Sequence, residues 1–115
     1  MELTTEEIRS LVSEQVGRLQ ESHYLILYWA AQGEGKGKKY NITNIFDDLK
    51  SAGITRTKQT AVAAVTALQT LCFLDVREEA NRKNVYITRA GGKALQEMLT
   101  QKRYQLKESN YLKEK

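Results

Sequence analysis

Few residues able to do acid–base, metal or nucleophilic chemistry stand in a pattern that would let them. His23 is the only histidine in the 115-residue sequence, and no carboxylate or cysteine lies at a metal-ligand spacing from it, so its expected role is structural. Cys72 is the only cysteine. A lone thiol forms no internal disulfide and fits a reducing compartment. It sits in an apolar run with no adjacent cation to make it a thiolate, which predicts a small buried side chain. Asp47 and Asp48 are adjacent and diverge on a helix instead of sharing a proton or a metal. The stretch Gly33-Glu-Gly-Lys-Gly-Lys-Lys39 is not a phosphate loop: Gly37-Lys38 is followed by Lys39, and the position that needs glycine is Gln32. The expectation is a chain with no catalytic residues, no metal and no cofactor.

What remains are hydrogen-bonding and cationic groups in two clusters. Arg56, Thr57, Lys58, Gln59 and Thr60 open one predicted helix, with Val62, Ala63 and Thr66 further along it. Gln59 has the geometry to pair bidentately with adenine, Arg56 and Lys58 to reach guanine or phosphate, and the methyls of Thr60 and Val62 to touch thymine. Arg82, Lys83 and Asn84 form the second cluster, where two cations suit a phosphate or a narrow minor groove, although Glu78 and Glu79 precede them. Lys36, Lys38 and Lys39 form a basic loop, read first as a solvated one. The formal net charge is +4. Glu2, Glu6, Glu7, Glu14 and Glu21 make the first 21 residues acidic, so an anion would meet the middle of the chain.

These clusters need elements to hold them. Thr4 and Glu7 form a capping-box pattern, and Ile8, Leu11, Val12, Val16 and Leu19 recur at helical spacing. Ser22 is positioned to cap a second helix, apolar almost all round from Tyr24 to Ala31 and therefore the core helix. Glycines from Gly33 predict an exposed loop, then a short strand at Tyr40-Asn41-Ile42. A helix capped by Thr43 carries Ile45, Phe46, Leu49 and Ala52 and stops at Gly53. The stretch 57–71 reads as a helix, burying Ala61, Ala64, Val65, Leu68 and Leu71 and offering its other sides outward. Residues 73–77 and 85–88 alternate at period two and predict an antiparallel pair joined by 78–84. Thr88 caps a last helix bearing Leu95, Met98, Leu99 and Leu106. Gly91 and Gly92 predict an irregular start for it, and the charged end beyond Lys107 predicts fraying.

Helix, short strand, helix, tight turn, helix and hairpin is the winged helix-turn-helix order. The expected fold is mainly α with a small β-hairpin (α+β), with additional N- and C-terminal helices. Two stretches carry a resemblance to the MarR and PadR type of bacterial winged-helix regulators. Ile54-Thr-Arg-Thr-Lys-Gln-Thr-Ala-Val-Ala-Ala-Val-Thr-Ala-Leu-Gln-Thr-Leu71 is similar to their recognition helix, and Phe73-Leu-Asp-Val-Arg-Glu-Glu-Ala-Asn-Arg-Lys-Asn-Val-Tyr-Ile-Thr-Arg-Ala-Gly-Gly-Lys-Ala-Leu95 to their wing and the helix after it. The chain departs from them at Cys72, where glycine is usual. The resemblance implies a transcriptional regulator that binds double-stranded DNA as a homodimer. It would use residues 1–21 as a dimerisation helix, 22–99 as the DNA-binding domain and 100–115 as a C-terminal helix and frayed tail. Dimerisation would fall to Ile8, Leu11, Val12, Val16, Leu19, Leu99 and Leu106. An acidic N-terminus without signal-peptide order, and no apolar run near the ~20 residues of a membrane span, make the expected location cytoplasmic. Winged helices also serve as protein-contact modules, so a protein partner on the same outward face is the alternative.

Overall fold

The computed structural model describes residues 4–6, 20–101 and 107–113. The stripe Ile8, Leu11, Val12, Val16 and Leu19, together with Leu106, lies outside the described residues. In chain order the elements are α1 (Glu21–Gly35), α2 (Ile42–Ser51), α3 (Lys58–Thr70), β1 (Leu74–Glu79), β2 (Arg82–Ile87), α4 (Arg89–Gln101) and a final turn, α5 (Asn110–Lys113). No described helix is long and apolar enough to cross a membrane.

α1 is the core helix. Leu25, Ile26, Leu27 and Trp29 are fully buried, because α2, α3, α4 and β2 all pack around it. Its cap lies two positions earlier than Ser22. Gln20 is the N-cap, and its backbone N–H donates to His23 Nδ1 at 3.0 Å. That contact requires a neutral imidazole nitrogen as acceptor, and burial lowers the His23 pKa in the same direction. α1 also runs further than a glycine-rich stretch predicts. It continues through Gly35, and Gly33 is buried, because a Cβ there would stand 3.3 Å from the Lys38 carbonyl and 3.4 Å from Tyr40 Cβ.

Three helix ends share one chemistry. At α1, α2 and α3 the chain closes with a pair of backbone bonds: Lys38 N to Gly33 O with Gly37 N to Glu34 O; Ile54 N to Leu49 O with Gly53 N to Lys50 O; and Phe73 N to Leu68 O with Cys72 N to Gln69 O. This is the Schellman pattern, whose pivot takes a left-handed conformation. Gly37 and Gly53 supply it at φ +68° and +75°. The third pivot is Cys72 at φ +64°, which is exposed and not a buried hydrophobe. The turn geometry is therefore the same as glycine would give, at the expense of a Cβ in an unfavourable region.

The hairpin pairs Leu74 with Ile87 and Val76 with Val85 on its inner face, as the alternation requires, and it is longer than predicted. Its connection is only Ala80-Asn81, with φ +50° and +65°, so residues 78–84 are mostly strand. The strand expected at Tyr40-Asn41-Ile42 shrinks to one bridge, Asn41 to Asn84, beside a Val85 N to Tyr40 O bond of 2.8 Å. α2 starts at once, capped by Asn41 and not Thr43: the Asn41 side chain accepts from Asn44 N at 2.9 Å, and Asn44 returns the bond.

α4 begins regularly despite its glycines. Thr88 Oγ1 accepts from Gly91 N and donates to the Cys72 carbonyl, and a Cβ on Gly91 would fall 2.0 Å from the Phe73 carbonyl oxygen. Gly91 lets the helix sit directly on the start of β1. The described C-terminal residues 107–113 dock against the core. Asp48, buried on α2, accepts from Tyr40 Oη at 2.5 Å, from Ser109 Oγ, and from Tyr111 N at 3.4 Å. Burial, and then the Asp48 carboxylate, push the Tyr40 hydroxyl above its ordinary pKa, keeping it a donor. Trp29 Nε1 donates to the Lys107 carbonyl and Leu112 is buried. The tail is part of the core because a carboxylate placed inside the fold needs these donors. The whole is a winged helix, mainly helical, with the β1–β2 hairpin as wing.

Candidate nucleic-acid interface

α3 divides as its sequence demands. Ala61, Ala64, Val65 and Leu68 face α1 and α2, while Lys58, Gln59, Thr60, Val62, Ala63 and Thr66 are exposed. Thr57 caps the helix: its hydroxyl accepts from Thr60 N at 3.3 Å and meets the Thr60 hydroxyl at 2.8 Å. Arg56 is exposed just ahead of the cap. The helix that follows the α2–α3 turn thus presents a short-chained face with its polar groups near the N-terminal end.

Between that face and the wing lies a cleft of about 560 Å³. Thr43 and Asn44 from the start of α2, Lys58 and Val62 from α3, and Asn81, Arg82 and Lys83 from the hairpin line it. Three cations separated by up to 25 positions in sequence therefore share one concavity. Lys58 Nζ reaches Thr43 Oγ1 at 3.5 Å, and neither Arg82 nor Lys83 forms an ion pair with any described residue. Glu79 lies opposite Arg82 and Glu78 opposite Lys83 in the ladder. Glu79 is nevertheless committed elsewhere. It accepts from Tyr86 Oη and from Asn84 Nδ2 and pairs with Lys39 at 3.4 Å; the Tyr86 bond, then Asn84 and Lys39, hold its carboxyl down at about 2. Glu79 thus spends its charge on Lys39, Asn84 and Tyr86 and forms no ion pair with Arg82 among the described residues.

The structure brings together Lys58, Val62, Arg82 and Lys83 of the residues singled out from sequence. Arg56, Thr57, Gln59, Thr60, Ala63 and Thr66 stand beside the cleft on exposed surface. Asn84 does not join them. It is 3% exposed, its side-chain amide donates to Glu79, and it stands at the bridge to Asn41 beside the Val85 N to Tyr40 O bond, so it ties the wing to the start of α2. The basic loop is likewise occupied: Lys36 donates to the Leu112 carbonyl, Lys38 lies over the Tyr111 ring and Lys39 holds Glu79. Sequence reading missed Thr43, Asn44 and Asn81. The available signals were the Asn41 and Asn44 capping pair and an asparagine suited to positive φ at the hairpin turn.

No protein-family model matches the sequence, and no curated protein does. Solved structures do match in fold. MepR, a transcription regulator of the Staphylococcus aureus multidrug efflux pump MepA, superposes with a TM-score of 0.58 at 15% identity over 85% of this chain and 76% of that one. A mutant of S. aureus MepR bound to an oligodeoxyribonucleotide matches with a TM-score of 0.57 at 15% identity, over 86% and 76% of the two chains. A second crystal structure of the same MepR mutant, from a multidrug-resistant S. aureus clinical isolate, gives 0.55 at 16% identity over 87% and 76% of the two chains. With the helix-turn-helix, the hairpin and the cleft between them in place, these similarities fix the architecture of the chain as a winged helix of the kind seen in MepR.

Proposed function

We propose that this protein is a DNA-binding transcriptional regulator that sets α3 in the major groove and lays the β1–β2 wing along the backbone or in the minor groove. The observation that carries the reading is the cleft where Lys58, Arg82 and Lys83 converge beside the exposed face of α3. Cations at the edge of a helix and on an adjacent hairpin suit phosphates on either side of a groove, while short side chains between them let the helix approach the bases. The oligodeoxyribonucleotide held by the similar MepR mutant supports the same assignment. A winged helix used only for protein contact would present a neutral helix-and-wing face, and this one is cationic. The described residues lining the cleft include no carboxylate, histidine or cysteine, which favours binding over catalysis.

The regulator is proposed to act as a homodimer. Leu99, 41% exposed at the end of α4, is one of two large apolar side chains left open among the described residues. The stripe Ile8, Leu11, Val12, Val16 and Leu19 would complete the contact with Leu106. Light scattering at high micromolar concentration would give twice the monomer mass; the monomer mass would refute pairing.

Titration of the protein against labelled random-sequence duplex at about 50 and about 200 mM salt tests the DNA assignment. Three phosphates neutralised per subunit predict a log–log slope of roughly −2.7. Absence of salt-dependent binding would refute it.

A further inference from the structure

We infer that the outward stripe of α3 reads thymine through the C5 methyl group. This deepens the DNA-binding reading above and rests on it. The outward stripe of α3 is Gln59, Val62, Ala63, Thr66 and Thr70, spaced at three and four residues so that all face one way. Guanine is read in the major groove mainly by the fork of arginine or by lysine, and cytosine by a carboxylate. The stripe holds none of these. Lys58, the one cation on α3, sits at its first residue beside Thr43. Gln59 is the only amide in the stripe, and its natural partner is adenine. Val62, Ala63, Thr66 and Thr70 each present methyl groups there, and the Thr70 hydroxyl is turned back onto the Thr66 carbonyl at 2.9 Å.

Val62 gives the stripe its direction. It is 38% exposed, one of two large apolar side chains so placed among the described residues, and it lines the cleft whose rim carries Lys58, Arg82 and Lys83. An apolar side chain set among three cations suits a ligand that is anionic at its edges and presents apolar groups between them. A duplex with thymine in its major groove is such a ligand: phosphates meet the cations, and the thymine methyl meets Val62 and the Thr66 methyl. Deoxyuridine has the same hydrogen-bonding edge without the methyl, so it isolates the contact.

Binding of the full chain should therefore be compared on two alternating A·T duplexes of about 24 base pairs, one with thymine and one with deoxyuridine throughout. Burial of one methyl corresponds to about fourfold in affinity, so the thymine duplex should bind at least about fourfold tighter. Val62→Ala combined with Thr66→Ser, both on exposed positions, should bring the ratio close to one. Arg82→Ala with Lys83→Ala should weaken both duplexes and keep the ratio. Equal wild-type affinity for the two duplexes, with salt-dependent binding intact, would overturn the methyl reading and leave the DNA assignment standing. No binding to either duplex would overturn both. A thymine preference that survives in the Val62→Ala, Thr66→Ser variant would overturn the assignment to these side chains.

Discussion

Two single positions show how closely the site's frame depends on residue type. Gly91 accepts no side chain, because α4 begins against the Phe73 carbonyl and a Cβ would fall 2.0 Å from that oxygen. Gly91→Ala should destabilise the fold by about 3 kcal/mol, the scale of an overpacked interior. Cys72 is the reverse case: its backbone sits at φ +64°, where glycine is at home. Cys72→Gly should stabilise by about 0.5–1 kcal/mol as the left-handed penalty is relieved and partly offset by glycine's chain entropy. Urea unfolding of both variants checks the pair, and shifts of the same sign would contradict it. Cys72 also marks a limit of sequence reading. Its apolar neighbours suggested burial, whereas its environment is set by the helix-ending turn that the Leu68 and Gln69 carbonyls close around it.

At the scale of elements, local patterning and long-range contact decided different things. α3 was legible because its apolar residues fall on one side and Thr57 is a strong cap, and the strand pairing was legible because Leu74 and Val76 alternate against Val85 and Ile87. The hairpin's length was not, since Ala80-Asn81 lacks the glycine that announces a two-residue turn. Nor was the docking of the tail, which depends on Asp48 meeting Ser109 and Tyr111 more than sixty positions away. Asp48→Ala would leave Tyr40 and Ser109 as donors without that acceptor, at about 1–3 kcal/mol for each unsatisfied group. Hydrogen exchange should then be faster across residues 107–113 while α3 and the hairpin stay comparatively protected; unchanged exchange in the tail would contradict the docking. The start of α1 adds a pH dependence. His23 titrates lower in the fold than its ordinary 6.5 because burial disfavours the charged ring. Below about 6.5 the unfolded chain takes up a proton that the folded one resists, so stability should fall as pH drops from 6.5 toward the lowered value. His23→Gln should flatten that part of the profile in pH-dependent unfolding, and a profile as steep as the wild type's would place the effect elsewhere.

Across the whole molecule, the arrangement separates support from contact. α1 and the tail bury the aromatic and aliphatic bulk, Glu79 gathers Lys39, Asn84 and Tyr86 on the wing, and Arg82 and Lys83 line one cleft with Lys58. Most candidate contact residues could be named from sequence because they are outward positions of one amphipathic helix and one charged hairpin. Their convergence was invisible there, since it depends on the two-residue turn that carries Arg82 and Lys83 back over the start of α2. The cleft is therefore the feature on which the functional account stands. Its most direct test is the salt dependence of duplex binding for the wild type and for Arg82→Ala with Lys83→Ala, both on the same random-sequence DNA. The account predicts weaker binding and a slope shallower by roughly 1.8 per bound subunit, the loss of two phosphate contacts; an unchanged affinity and slope would contradict it.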